Sequence, residues 1–491
     1  MTISFNQIPI NLRVPGVYVE FDNSKAVKGL VGMPYRALLV GQRLAAGTVA
    51  ALVPTRISSA DQAREYFGQG SMLAQSAEAW FANNRFTETW AIALDDNAAG
   101  AFAAGTVTIT GTASETGTLN LYVGGRQVQV AVASGTLQAA TATALAAAIN
   151  AVADLPVTAA VDGVITNQVN ITARHKGEAG NDIDLRLNYY LGQKTPAGLT
   201  VAIVAMAAGT ANPALAALIT AMGDEWFNII ALPYTDAASL TALESELDDR
   251  WGPMRPIEGH AFAAAVGSQA TLSTLGDTRN SPHVSIMATN SSPTTTWEFS
   301  AAVAAVVAYY ANIDPARPFQ TLVLKGVMAP KMTDRFTMEE RNLLLYDGIS
   351  TFVVDAGGTC RIERMVTTYR LNAFGTADPS YLDVNTMLTL GYLRYTFRAR
   401  FAQKFPRHKL ADDGTRFGAG QAVLTPKIAK AECFAIFRQW EDAALVENFD
   451  DFKANIIVER NTTDVNRLDI YLPPDLVNQL RVTAAQVGFR L

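Results

Sequence analysis

Charge is scarce in this sequence. Asp, Glu, Lys and Arg make up 17% of its 491 residues, against roughly 25% in an ordinary soluble chain. Hydrophobic residues make up 49%, so much apolar surface has to be buried within the chain or within an assembly. The net charge of -6 offers no basic footprint for nucleic acid or acidic lipid. Cysteine is nearly absent. Cys360 and Cys433 stand far apart, without metal or redox spacing, and read as free thiols of a reducing compartment. Long apolar runs are missing too. The longest, residues 299–313, is Ala-rich and shorter than the roughly 20 residues of a membrane span. It reads as a buried helix. Residues 1–14 lack the basic start and apolar stretch of a secretory signal. The expectation is a protein made and kept in a cytoplasm, or released by lysis.

Chemical motifs are missing in the same way. His175, His260, His283 and His408 do not pair at metal-binding spacing, and neither Cys-x-x-Cys nor His-Glu-x-x-His occurs. There is no Gly-x-x-x-x-Gly-Lys-Ser/Thr loop and no Gly-x-Ser-x-Gly elbow. The nearest imitation of a phosphate loop, residues 177–180, places Glu178 at its centre and has no Lys after it. Asp224-Glu225, Asp248-Asp249 and Asp450-Asp451 are neighbours in sequence. They read as helix-end or solvated charge rather than as an acid–base pair. The expectation is a protein that is not an enzyme, with no catalytic, cofactor-binding or metal-binding residues.

What is present is secondary-structure pattern. Residues 36–42 and 89–94 are apolar strands. Helix signals lie between them, at Ser58-Ser59-Ala60-Asp61 and over residues 72–81. This predicts a parallel α/β unit. From residue 97 to residue 208 the chain is rich in Ala, Thr, Gly and Val. Residues 106–110, 118–123 and 127–132 read as a meander with a tight turn at Gly124-Gly125. A helix over 137–153 and strands over 164–173 and 183–190 follow. The α/β pattern then resumes, with strands expected at 226–232, 258–264, 283–288, 322–325, 349–355 and 361–371. Helices are expected at 213–222 and 237–250, and Thr337 with Glu340 forms a capping-box pattern. Near the end, Leu390, Leu393, Phe397, Phe401 and Phe405 stripe a helix over 388–405. A second helix starts near Pro426 and strands follow at 456–460 and 467–472. The organisation is therefore an N-terminal strand arm (1–24), an α/β core in two parts (25–96 and 209–377), an inserted β-rich domain (97–208), an α+β C-terminal domain (378–478) and a C-terminal strand arm (479–491).

The two arms stand out. After the turn at Val14-Pro15-Gly16, Val17, Val19 and Phe21 alternate with Tyr18, Glu20 and Asp22. At the other end, Leu480 and Val482 precede Val487, Phe489 and Leu491, which alternate with Gln486, Gly488 and Arg490. The alternation slips at Ala484-Ala485. Elements this short are marginal alone, so each completes a sheet in its own subunit or in a neighbour. A basic patch follows the aromatic stripe: Arg394, Arg398, Arg400, Lys404, Arg407, His408 and Lys409. It reads as a solvated rim over a buried stripe, or as a docking face for an acidic partner. Nucleic acid fits the acidic balance least.

Particular stretches resemble tail sheath proteins of Mu-like contractile-tailed bacteriophages (myoviruses). They are Asn466-Arg467-Leu468-Asp469, the run from Leu472-Pro473-Pro474-Asp475 through Gln479-Leu480-Arg481-Val482, and the terminal Phe489-Arg490-Leu491. Val14-Pro15-Gly16-Val17-Tyr18-Val19-Glu20 and the stretch from Ala173-Arg174-His175-Lys176 through Asn181-Asp182-Ile183 resemble the same family. The resemblance implies a subtilisin-like α/β sheath core without protease activity, an outer inserted domain and an inner C-terminal domain. It implies sixfold rings stacked around a tail tube, with baseplate and tail terminator proteins as further partners. Contact with nucleic acid or membrane is not expected. The location implied is the virion, after assembly in the host cytoplasm. The resemblance also implies terminal arms that add strands to neighbouring subunits, here through Val17, Tyr18, Val19, Phe21, Leu480, Val482, Val487, Phe489 and Leu491. Arg394, Arg398, Arg400, Lys404 and Arg407 are the candidates to face the tube. Contraction drives the tube through the host envelope for DNA ejection. Two other readings stay open from the residues alone: an α/β hydrolase with a β-rich accessory domain, and an adhesin built on the insertion.

Overall fold

The computed structural model describes residues 13–19, 30–418 and 420–490. The chain divides into two compact units, Pro34–Tyr392 with Asn478–Leu491, and Met1–Met33 with Leu393–Val477.

The larger unit is built on an eight-stranded sheet. Its strand Arg36–Gln42 is buried over all but its first residue. It runs parallel to Glu88–Leu94 on one side and to Ile229–Ala231 on the other. His260–Ala265, Val284–Ala288 and Ile349–Val354 continue the parallel series. Thr55–Ile57 and Cys360–Arg364 close the two edges in antiparallel fashion. Numbered along the chain, the parallel strands lie in the order 2-1-3-4-5-6. The order reverses between Arg36–Gln42 and Ile229–Ala231, as in open doubly wound sheets. Helices cover the sheet, which is why its strands read as unbroken apolar runs. Ser59 and Ser71 cap helices Ala60–Phe67 and Met72–Asn83 by accepting the N–H groups of Gln62 and Ala74. The Ala-rich run forms Thr296–Ile313, in which Trp297, Phe299, Val303 and Val307 are all buried. Its small residues let it lie close against Met72–Asn83. Thr337 and Glu340 form the capping box that opens Met338–Tyr346.

The insertion is a two-sheet sandwich. One antiparallel sheet holds Leu199–Ala207, Phe102–Gly111, Gln168–Lys176 and Val157–Val161 in that order. The other holds Arg126–Val132, Gly117–Val123 and Leu185–Leu187. Helix Gln138–Ala151 completes it. Along Gln168–Lys176, Val169, Ile171, Ala173 and His175 face inward at period two. The hairpin turn is Gly124-Gly125, with φ of +56° and +80°, the type I′ geometry that fits strand twist.

Three expected strands differ. Phe102–Gly111 does not join the predicted meander, because residues 112–116 carry the chain across to the second sheet. Alternation fixes which face is buried but not which strand is the neighbour. Residues 322–325 form no strand. They only run beside Cys360–Arg364, with a single bridge between Val323 and Arg361, and Thr321 before them has a φ of +63°. The strand expected over 361–371 ends at Arg364. Beyond it, Val366 bridges only to Asp383.

Helix Val384–Lys404 belongs to the larger unit up to Tyr392 and to the smaller from Leu393 on. In the smaller unit, Thr425 caps Pro426–Asp442, with Pro426 in the first turn. Trp440 Nε1 donates to Thr396 Oγ1 at 2.9 Å, and Phe437 stacks on Phe452 at 4.2 Å. Its β-structure consists of separate pairs. Ile457–Arg460 lies against Leu468–Tyr471, Val446–Glu447 against Asp475–Leu476, and Lys409–Leu410 against Val423–Leu424.

Candidate assembly surfaces

In an open α/β sheet, ligands bind beyond the C-terminal ends of the strands where the order reverses. Here protein fills that place. Gln42, the last residue of its strand, is fully buried. Its Nε2 donates to Asp96 Oδ1 at 2.6 Å and to Lys176 O at 2.8 Å. Its Oε1 accepts from Tyr234 Oη at 3.2 Å. Lys176 ends a strand of the sandwich. Nearby, Asn97 donates to Asn212 O at 3.1 Å and Asn212 donates to Asp236 Oδ2 at 2.7 Å. Burial holds the Asp96 carboxyl above the ordinary carboxylate range. The roots of the insertion thus plug the crevice with amides, carboxylates and a phenol. No Ser, Thr, Cys or His side chain takes part in these contacts.

Polar pairs also cross the rest of the junction between core and sandwich. Arg126 Nη2 bridges Glu78 at 3.0 Å and Glu298 at 2.7 Å. Gln75 donates to Asp154 O at 2.6 Å and accepts from Trp297 Nε1 at 2.8 Å. The Trp297 ring lies 5.2 Å from that of His175. His260 opens one strand and His283 immediately precedes the next, and His260 Nε2 lies 2.8 Å from Ser285 Oγ. Among the described residues no group of three or more His, Cys, Asp or Glu side chains is disposed to hold a metal. No described helix is long and apolar enough to cross a membrane. Cys360 and Cys433 are both buried and unpaired.

The arms present apolar side chains to the outside. Residues 13–19 are exposed throughout, with Val17 at 95%. Tyr18 Oη donates to Val14 O at 3.2 Å, and Phe21 lies outside the described residues. Residues 478–490 have no strand assignment. Leu480, Val482 and Val487 are exposed, and Phe489 is 82% exposed. Leu491 lies outside the described residues. Among the described residues neither arm carries a strand assignment, and no described strand lies beside either to supply its backbone hydrogen bonds.

The basic helix carries ion pairs of its own. Arg400 Nε lies 2.5 Å from Glu432 Oε1, and Lys404 Nζ closes on Glu432 Oε2. Both cations share the single carboxylate of Glu432 inside the smaller unit, which leaves one positive charge in excess, and the Lys404 side chain stays 49% exposed. Arg398 and Arg407 are exposed, and Arg394 is half-buried. The Phe397, Phe401 and Phe405 rings follow one another at 4.6 and 5.5 Å, and His408 ends the series 5.2 Å from Phe405. The residue that sequence reasoning missed is Glu432. It stands 28 and 32 residues from its two cations, too far for any local spacing to reveal it.

Comparison with known proteins fits this architecture. Residues 208–368 match the phage tail sheath protein central domain, residues 376–490 the phage tail sheath C-terminal domain, and residues 98–211 the phage tail sheath protein beta-sandwich domain. The chain is 45% identical over 491 residues to the Mu-like prophage FluMu tail sheath protein of Haemophilus influenzae, covering 100% of each. The crystal structure of a sheath tail protein from Desulfitobacterium hafniense superposes with a TM-score of 0.51 at 15% identity, covering 95% of this chain and 97% of that one. At that identity the likeness is one of fold. With a sandwich rooted in a plugged crevice and a relative matched from end to end, the chain belongs to the phage tail sheath protein family.

Proposed function

We propose that this tail sheath protein is a structural, non-enzymatic subunit that assembles as stacked sixfold rings around a tail tube. Terminal arms hold the rings together by adding strands to neighbouring subunits, and the sheath contracts to drive the tube through a host envelope for DNA ejection. Partners on this reading are further copies of the chain, the tube protein, and baseplate and tail terminator proteins. The subtilisin-like description of the core belongs to the same reading. Its support is the mainly parallel, helix-covered sheet.

The observation that carries the proposal is the C-terminal arm. A run with exposed Val482, Val487 and Phe489 has unmet backbone groups and apolar side chains at the same place. Strand addition satisfies both, with backbone bonds supplying affinity and alternate side chains supplying register. Pairs such as Ile457–Arg460 with Leu468–Tyr471 are two-stranded among the described residues, which leaves edges for an incoming strand. Each added hydrogen bond nets only about 0.5–1.5 kcal/mol. A contact made to a different neighbour is heterologous, however, and repeats into rings or helices. The hydrolase alternative loses its support because the crevice such an enzyme would use is occupied by Gln42, Asp96 and Lys176.

Electron microscopy of purified protein tests the proposal. Tubes or stacked rings are expected from the full chain. Deletion of residues 479–491 is expected to leave folded, soluble subunits that form none. Long tubes from the truncated protein would sink the role given to the arm.

A further inference from the structure

The C-terminal arm does not simply hang from the chain end. Leu480 and Val482 are exposed, yet the Arg481 side chain between them is only 14% exposed. Its Nη2 donates to Asp383 Oδ1 at 3.0 Å and to Asn385 Oδ1 at 3.3 Å. Its Nη1 reaches Gln320 Oε1 at 3.4 Å, and Gln479 Oε1 also accepts from Nη2. The receiving atoms are themselves fixed. Asp383 is also gripped by Arg364, whose Nε and Nη2 each lie 3.0 Å from a carboxylate oxygen. The Asn385 amide nitrogen donates to Pro315 O at 2.8 Å and Arg317 O at 2.7 Å, which turns its oxygen towards Arg481. The backbone is caught as well. Gln320 Nε2 donates to Leu480 O, and Gln479 Nε2 to Ala316 O, both at 3.4 Å. A single cation shared among Asp383, Asn385 and Gln320, with a second Arg competing for Asp383, is a built socket rather than a chance surface pair.

We infer that Arg481 is a positioning residue for assembly, a clamp that fixes the point at which the arm leaves the larger unit. The inference rests on the strand-donating role proposed for the arm. Ten residues, 482–491, lie beyond the clamp and reach roughly 30 Å when extended. A tether from a fixed root samples a smaller volume than one freed from residue 478 on. The effective concentration of the arm at its acceptor is correspondingly higher, and fewer residues have to be ordered on docking.

Trypsin reads the clamp directly, because cleavage requires the arginine side chain to enter the protease. In soluble subunits kept below the assembly threshold, the bond after Arg481 is expected to resist trypsin despite its exposed neighbours. Asp383→Asn, or Asn385→Leu, is expected to speed loss of the last ten residues, read by mass, at least tenfold. The melting temperature of Asn385→Leu controls for unfolding. Equal cleavage rates in the parent and both variants overturn the clamp whatever the arm does. In assembly, Arg481→Met is expected to raise the protein concentration needed for tubes by about tenfold, with Arg481→Lys between it and the parent. An unchanged threshold in Arg481→Met, where deletion of 479–491 abolishes tubes, also overturns it. Tubes formed without the arm overturn the strand-donation reading instead, and the cleavage result still decides the clamp.

Discussion

Arg400 holds Glu432 from one helix to another, Nε to Oε1 at 2.5 Å, with the Glu432 side chain only 6% exposed. Lys404, one turn along from Arg400, takes the second carboxylate oxygen. Burial alone would raise the Glu432 carboxyl. The bonds from Lys404 and Arg400 outweigh it, and its pKa sits below the ordinary value. Removing one partner of a buried ion pair leaves the others desolvated and unmatched. Glu432→Gln is therefore expected to destabilise the smaller unit by about 2–3 kcal/mol, below the full buried-pair figure because Arg400 and Lys404 are partly solvated. The folded carboxyl is depressed, so the stability it contributes is present above the unfolded value of 4.5 and lost as pH falls through the folded value. Urea unfolding at pH 7 and pH 3.5 checks both parts. The loss caused by Glu432→Gln should be smaller at the second pH than at the first.

The same contact separates two roles within the basic patch. Lys404 is bound to Glu432, whereas Arg407 is exposed beyond the end of the Val384–Lys404 helix. Lys404→Glu is expected to lower stability by about 2 kcal/mol, since it puts a like charge against a buried carboxylate. Arg407→Glu, at an exposed position, is expected to stay within about 0.5 kcal/mol of the parent. If the exposed cations dock the tail tube, Arg407→Glu weakens co-sedimentation with tube protein at low salt, and added salt erases the difference. Unchanged co-sedimentation would leave Arg407 a solvated rim.

These cases mark what a sequence can and cannot disclose. The parallel core was legible because strands covered on both faces have to be apolar along their length, as Ala37 to Val40 are. The Gly124-Gly125 turn was legible because a type I′ hairpin needs two positive φ values. Serine caps and the Thr337–Glu340 box were legible because capping is local. Partner choice was not. Phe102–Gly111 alternates as a meander strand would, and only the tertiary fold assigns it to the other sheet. The pairings of Glu432 with Arg400, Gln42 with Lys176, and Arg481 with Asp383 join residues 32, 134 and 98 positions apart. No periodicity encodes such distances. The arms carry strand-like alternation, but a strand is a property of a pair, and among the described residues neither arm has a partner strand.

The junction between core and sandwich holds two titrating groups of opposite sign. His175 is fully buried against Trp297, and neither ring nitrogen has a hydrogen-bond partner. Burial pulls its pKa from 6.5 down to about 4. The unfolded chain therefore binds a proton that the folded chain refuses between those values, and stability falls as pH drops from 6.5 towards 4, by at most about 1.4 kcal/mol per pH unit. Asp182 does the reverse. Burial, with the charge of Glu178 adding to it, pushes its carboxyl from 3.8 up to about 7. The folded chain keeps that proton where the unfolded chain has lost it, so stability falls as pH rises from 3.8 towards 7. The two slopes oppose each other, and the parent protein is expected to vary little between pH 5 and 6.5 on their account. Asp182→Asn removes one of them. It is expected to be more stable than the parent at pH 7.5 by about 1–2 kcal/mol, and to lose stability more steeply on acidification. His175→Gln removes the other, so its stability should hold or rise as the pH is lowered from 7 to 5, whatever constant cost the substitution brings. Chemical unfolding of the three proteins at pH 5, 6 and 7.5 checks the signs. Parallel pH profiles for the parent and His175→Gln would mean that His175 is not the group refusing its proton.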